Sequence, residues 1–149
     1  MKILHLYKDY WPVVGGIENH VRLLAERQAA AGHEVTVLVT SQTHHTQVEQ
    51  ANGVHVIKAA RLATAASTPL SLSLPLRLAA LQPEIAHLHF PYPLGEMSQL
   101  FVGRAKGLVL TYHSDIIRQK GWLRLYRPWM HRILARADRI IAATPNYAA

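Results

Sequence analysis

The chain has 149 residues, about half of them apolar, which is enough for one domain with a buried core of ordinary size. It contains no cysteine, which excludes disulfide bonds, thiolate metal sites and a cysteine nucleophile, and which fits a reducing compartment. We find no signal-peptide pattern and no run of about 18 consecutive apolar residues, so we expect no segment that crosses a membrane.

The net charge of +7 is concentrated in the last third of the chain. Residues 1–103 contain seven Lys/Arg and seven Asp/Glu, whereas residues 104–149 contain nine Lys/Arg and two Asp/Glu. An asymmetry of this kind indicates an anionic partner for that segment, which could be a membrane surface, a phosphate-bearing ligand or a nucleic acid.

Short apolar runs alternate with helical periodicity along the chain. We predict strands over residues 3–7, 35–39, 54–59, 84–89, 108–112 and 139–143, and helices over residues 17–31, 72–81, 95–104 and 120–137. Pro128 is expected to kink or divide the last helix. The alternation predicts an α/β fold with a doubly wound, mostly parallel sheet and helices on both faces. Such a domain usually continues into another helix, so we expect sequence beyond Ala149.

In an open parallel sheet, ligands bind outside the carboxyl ends of the strands. Loops after the first, fourth, fifth and sixth predicted strands are therefore expected to line one edge. The acidic residues that we place near this edge are Asp9, Glu18, Glu96 and Asp115. No Ser-His-Asp order and no paired-carboxylate pattern is visible.

Gly15 and Gly16 open the first predicted helix. Two residues without Cβ allow a ligand to approach the backbone, where the free amides of a helix start attract phosphate. A plain tight turn explains the pair equally well. A nicotinamide-cofactor site fits poorly, because Gly-x-Gly-x-x-Gly is absent and the second strand ends in Thr40-Ser41 without an acidic residue.

The chain contains ten histidines, of which His87 and His89 share one face of a predicted strand. No carboxylate or third histidine lies at a recognisable ligand spacing, so we expect no metal site and interpret His87 as a hydrogen-bonded core residue. His113 ends an apolar strand at the ligand edge. It could bind a sugar hydroxyl or a developing charge, or it could be a solvated loop residue.

Residues 118–137 combine aromatic side chains with many cations. The apolar positions recur at helical spacing, which packing against the sheet explains: Trp122, Leu125, Tyr126, Trp129, Met130, Ile133, Leu134 and Ala137. Tryptophan beside basic residues also suits a membrane interface, where each cation near an anionic leaflet adds about 1 kcal/mol. The predicted membrane-binding residues are Lys120, Trp122, Arg124, Arg127 and Trp129. We expect no nucleic-acid partner, because no recognised binding motif is present.

Five sequence motifs in order carry a family resemblance. They are MKILHL at 1–6 continuing to YWPVVGGIE at 10–18, AGHEVTVL at 31–38, IAHLH at 85–89, LTYHSD at 110–115 and ADRIIA at 137–142. Together they resemble the opening half of family 4 glycosyltransferases of GT-B fold. The resemblance covers essentially the whole chain.

That resemblance implies two Rossmann-like domains facing a cleft, with transfer that retains the anomeric configuration. The N-terminal domain mainly holds the acceptor, and the C-terminal domain holds the nucleotide-sugar, which is a co-substrate; no cofactor and no metal are required. Residues 1–149 would be a single N-terminal, acceptor-side domain, and the C-terminal donor-binding domain would be absent from this chain. The domain alone is therefore expected to be inactive.

By the same resemblance, Gly15 and Gly16 would approach the donor diphosphate, and His113 would contact the transferring sugar. Asp9, Glu18, Tyr92 and Asp115 would lie on the acceptor side. The basic segment would hold the protein to a membrane that carries a lipid-linked or envelope-glycan acceptor, which implies a cytoplasmic protein peripheral to the inner face of the cell membrane. The alternatives are a non-catalytic membrane- or glycan-binding module and a flavodoxin-like nucleotide binder.

Overall fold

The computed structural model describes residues 1–65, 67–114 and 120–143. The strands are β1 Lys2–Leu6, β2 Glu34–Thr40, β3 Gln47–Ala51, β4 Val54–Ala59, β5 Ala63–Ala65, β6 Thr68–Leu70, β7 Ile85–Phe90, β8 Gly107–Tyr112 and β9 Arg139–Ala142. The helices are α1 Gly16–Ala30, α2 Ser73–Ala80, α3 Pro93–Val102 and α4 Lys120–Arg136.

Seven strands form one sheet in the order β3-β4-β2-β1-β7-β8-β9. All neighbours pair in parallel except β3, which runs antiparallel to β4 at the edge. The central strands are almost wholly buried, as expected when both faces of a sheet are covered. The predicted α/β, doubly wound and mostly parallel architecture is confirmed.

The handedness of the crossovers assigns the helices to faces. The connection from β1 to β2 moves along the sheet in one direction, and the connections through α2, α3 and α4 move in the other. Because parallel crossovers are right-handed, α1 lies on one face and the other three helices lie on the opposite face. Contacts of α3 with both α2 and α4 agree with this arrangement.

The structure adds two hairpins that the sequence pattern does not predict. β3 joins β4 through Asn52-Gly53, both with positive φ, which is the usual chemistry of a two-residue hairpin turn. β5 and β6 form a separate two-stranded sheet. Neither β3 nor β5 contains an apolar run, and both are largely exposed, so hydrophobic periodicity carries no signal for them.

The last helix lies where it was predicted and differs from the prediction at Leu125. α4 is one continuous helix that contains Pro128, so of the two effects expected of the proline, a kink or a division, the division does not occur. Leu125 was predicted to pack on the sheet but is 74% exposed, whereas Tyr126 and Ile133 are buried. At 3.6 residues per turn, Leu125 points about 100° away from the line of Tyr126 and Ile133, which places it outside the buried stripe.

Candidate functional site

The carboxyl ends of β1, β2 and β4 are tied together by an ion pair. Asp9 Oδ1 accepts hydrogen bonds from Arg61 Nη2 at 2.9 Å and from Gln42 Nε2 at 2.6 Å. Arg61 also donates from Nε to the carbonyl of Ser41. Both charged side chains are largely buried, and Arg61 was not predicted from the sequence. Asp9 therefore lies at the predicted edge and holds three loops in register.

Gly15 and Gly16 begin α1, as predicted, and their surroundings differ. A Cβ on Gly15 would meet the carboxylate end of Glu18, which folds back over the helix start. A Cβ on Gly16 would meet nothing within 4 Å. The backbone at Gly16 is thus open to a ligand from outside this domain, and Glu18 lies beside it.

Tyr92 and Glu96 form the start of α3 after β7. The backbone amide of Tyr92, the N-cap residue, donates to Glu96 Oε1 at 2.8 Å, which resembles a capping box. The Tyr92 ring is buried, and its hydroxyl donates to the carbonyl of Pro69. Tyr92 therefore lies at the carboxyl edge of the sheet, but with its side chain packed inside the protein. Glu96 is also buried, and burial raises its pKa to about 8.

A row of histidines crosses the face of the sheet that α1 covers. His5 on β1, His89 on β7 and His113 after β8 are hydrogen-bonded in series, with N–N distances of 3.0 and 3.1 Å. Gln28 on α1 contacts the other end of His5 at 2.6 Å between Oε1 and Nε2. The row runs from the core to the carboxyl edge, where His113 is half-buried.

Two further histidines flank this row. His87 is buried and bonded to Thr111 Oγ1 at 2.6 Å, as a core histidine is expected to be. His20 on α1 packs edge-on against His89 and His113. Spacing along the sequence missed this clustering, because the residues come from four separate elements. The pairing of strands β1, β7 and β8 brings them together.

Burial suppresses protonation along the row. It lowers the pKa of His5 to about 4 and that of His113 to about 4, with His20 a further cause in each case. It lowers the pKa of His87 to about 3 and holds that of His89 well below 6.5. These rings are therefore neutral at pH 7, so each can donate one hydrogen bond and accept another.

The predicted membrane-binding residues lie on α4. Arg124 and Arg127 are exposed, while Trp129 is half-buried and packs against Phe101 and Arg132, with ring–ring and cation–ring distances of 5.2 and 5.0 Å. The side chains of Lys120 and Trp122 lie outside what the structure describes, as does Asp115. Within the described residues, no helix is long and apolar enough to span a bilayer.

The comparisons with known proteins agree over the whole chain. The profile of glycosyltransferase family 4 matches residues 14–149. D-rhamnosyltransferase WbpZ of Pseudomonas aeruginosa is 43% identical, and the alignment covers 99% of this chain and 39% of that protein. O-antigen chain mannosyltransferase C of Escherichia coli is 37% identical over 100% of this chain and 41% of its own length.

A solved structure shares the fold. Sucrose-phosphate synthase from Thermosynechococcus elongatus superposes with a TM-score of 0.69 at 20% identity, over 98% of this chain and 43% of that one. The present chain thus spans about two fifths of the length of the curated relatives that it matches. With the parallel sheet, the order of the motifs and the family match in agreement, the chain belongs to glycosyltransferase family 4.

Proposed function

We propose that this chain is the acceptor-binding domain of a retaining glycosyltransferase that moves a sugar from a nucleotide-sugar to a lipid-linked or envelope-glycan acceptor. The observation that carries the proposal is its identity of 43% and 37%, over nearly its full length, to a rhamnosyltransferase and a mannosyltransferase. A second, donor-binding domain would complete the cleft at the carboxyl edge of the sheet.

The geometry of the edge supports distinct roles for its residues. Gly16 offers an open backbone at a helix start, which suits the diphosphate of a donor bound across the cleft, with Gly15 beside it. The ring of His113 packs against the ring of His20, with 5.3 Å between the centroids. His20 lies on α1, about one helical turn after Gly16. A sugar attached to a phosphate at Gly16 would therefore lie within reach of His113.

The acceptor side is proposed to comprise Asp9, Glu18, Tyr92 and Asp115. Glu18 lies next to Gly15, where its carboxylate would accept hydrogen bonds from hydroxyl groups of the acceptor. Asp9 is engaged by Arg61 and Gln42, and Tyr92 is buried, so these two would act by holding the loops that form the acceptor surface. No metal and no cofactor are part of the proposal.

We further propose that α4 contacts an anionic membrane from the cytoplasmic side. Arg124, Arg127 and Arg132 are exposed, and so are the apolar side chains of Leu125 and Phe101. Cations beside exposed apolar groups favour the interface of an anionic leaflet. If this surface acts without transfer, the chain is instead a membrane- or glycan-binding module, which is the second candidate function.

A transfer assay tests the leading proposal. The chain is joined to a donor-binding domain, its own or that of the rhamnosyltransferase relative, and supplied with nucleotide-sugars and a membrane extract containing lipid-linked glycans. We expect sugar transfer that falls by roughly 100-fold or more in His113→Ala and is unchanged in His55→Ala, a control at the opposite edge of the sheet. A folded fusion that transfers no sugar from any donor would reject the proposal.

A further inference from the structure

The hydrogen bonds between the histidines are nearly in line with their rings. The centroids of His5 and His89 are 5.3 Å apart, and those of His89 and His113 are 5.4 Å apart. Each centroid distance is about equal to the N–N separation, 3.0 or 3.1 Å, plus the distance from each ring centre to its nitrogen, which is the largest value that the geometry allows. Each nitrogen therefore points directly at its neighbour.

This alignment distinguishes a hydrogen-bonded chain from a metal site. The nitrogens of His20, His89 and His113, and those of His5, His87 and His89, lie within 4.8 Å of one another. Zinc ligands direct their lone pairs from separate corners of a tetrahedron towards one point. The pairs in this row instead direct their nitrogens at each other. The ring of His87 stacks on that of His89 with 4.3 Å between their centroids and 28° between their planes. The arrangement suits hydrogen bonds that run from ring to ring.

The amide of Gln28 sets the direction of this chain. Its Oε1 accepts only, so His5 must donate from Nε2. A neutral His5 then accepts at Nδ1 from Nε2–H of His89. His89 in turn accepts at Nδ1 from Nε2–H of His113. The lowered pKa values of all three rings support one proton per ring.

We propose that Gln28, His5 and His89 are positioning residues that fix His113 in the Nε2–H tautomer, which leaves its Nδ1 as a hydrogen-bond acceptor. The tautomer assignment does not depend on the proposed function; only the role given to His113, contact with a substrate, rests on it. A neutral acceptor nitrogen binds a substrate hydroxyl by accepting a hydrogen bond from its O–H group, and it is a poor partner for phosphate or a developing negative charge. Of the two roles open to His113, the chain therefore selects recognition of a sugar hydroxyl.

Nitrogen NMR of the imidazole rings tests the chain directly. In the protein labelled with ¹⁵N-histidine at pH 7, we expect the Nε2–H tautomer at His5, His89 and His113. Gln28→Glu keeps an acceptor and should retain all three tautomers, whereas Gln28→Lys supplies a donor and should invert them to Nδ1–H. His87→Gln is the matched control, because His87 lies beside the chain and should leave the tautomers unchanged.

Two results would overturn the inference. One is an Nδ1–H or mixed tautomer at His113 in the unsubstituted protein, which needs no variant to fold. The other is a His113 tautomer that stays the same in a folded Gln28→Lys protein. In the fusion with a donor-binding domain, Gln28→Lys should also lower kcat/KM at least about tenfold, since a wrong histidine tautomer costs far more than that in serine proteases.

The two arms separate this inference from the proposed function. If the tautomers change with the residue at position 28 but the fusion transfers no sugar, the hydrogen-bonded row of histidines is upheld and the proposed transferase function is rejected. If the fusion transfers sugar but the tautomer of His113 does not depend on residue 28, the transferase function is upheld and the role of the row is rejected.

Discussion

At the scale of single residues, Glu96 shows how the fold alters an ordinary side chain. Glu96 Oε1 accepts the Tyr92 amide, and Oε2 is buried without a hydrogen-bond partner in the described structure. Because the carboxyl group is removed from water, the neutral form is favoured and its pKa rises to about 8. The sequence pattern placed Glu96 near the ligand edge. In the structure its side chain is buried and accepts the backbone amide at the start of α3, so it holds the helix start and does not face solvent.

Stability should therefore fall as pH rises through the range where only the unfolded chain loses this proton. The native pKa is about 8 and the ordinary value is 4.5, so the loss develops between these pH values and is complete above 8. At 1.36 kcal/mol per pKa unit, it amounts to several kcal/mol. Glu96→Gln should reduce the decline, as measured by urea unfolding from pH 6 to 9. A slope equal to that of the unsubstituted protein would contradict the account, and exposed Glu34→Gln is the control.

The open backbone at Gly16 makes a second prediction at this scale. Gly16→Ala meets no neighbour within the domain, so the melting temperature should change little. In the fusion, the added methyl group would obstruct a diphosphate, and we expect KM for the nucleotide-sugar to rise about tenfold. Gly107→Ala, at the opposite end of the sheet with ordinary contacts only, should change neither quantity. Normal donor kinetics in Gly16→Ala would favour the plain-turn interpretation.

At the scale of elements, the β3–β4 hairpin depends on its two-residue turn. Gly53 has φ of +80° and lies where an added Cβ would be 3.4 Å from Ala29 Cβ. An L-residue in this conformation costs roughly 1–2 kcal/mol, so Gly53→Ala should lower the free energy of unfolding by that amount. Gly121→Ala, in α4 with open space around it, should be neutral or slightly stabilising. Equal stabilities of the two variants would show that the turn carries no strain.

The surface of α4 yields a prediction at the same scale. Arg124→Glu with Arg127→Glu reverses two exposed charges without touching the buried Tyr126 or Ile133. Sedimentation with vesicles of anionic lipid should then drop sharply, because attraction becomes repulsion. Arg77→Glu on α2 is the matched control. Unchanged sedimentation of the double variant would show that α4 packs against the sheet and does not bind the membrane through these two arginines.

At the scale of the whole molecule, the buried histidines control stability in acid. Their native pKa values lie below the ordinary 6.5, so below that pH the unfolded chain binds more protons than the folded one. Stability should therefore be lost as pH falls from about 6.5 towards 4. Urea unfolding over this range measures the loss, and His87→Gln should lessen its slope. A flat profile would show that the histidines are protonated as easily when folded as when unfolded.

The strand–helix alternation was readable from the chain because hydrophobic periodicity is local. Six predicted strands and four helices correspond to observed elements, and Gly32 ends α1 with the positive φ that favours glycine. The hairpins at β3 and β5 lacked that periodicity. The exposure of Leu125 was missed because this residue lies at the margin of the apolar stripe of α4, about 100° from Tyr126, and residue type alone does not show where burial ends.

Local pattern in the chain thus decides the α/β class, the family motifs and the position of His113 at the carboxyl edge of the sheet, where we propose that ligands bind. Tertiary structure alone decides that His5 and His89, which lie 84 residues apart, share a hydrogen bond, and that Arg61 holds Asp9. The physical reason is that strand order, which no short segment encodes, places β1 between β2 and β7. Burial then lowers the pKa of the histidines and raises that of Glu96, so the protonation state of these residues belongs to the fold.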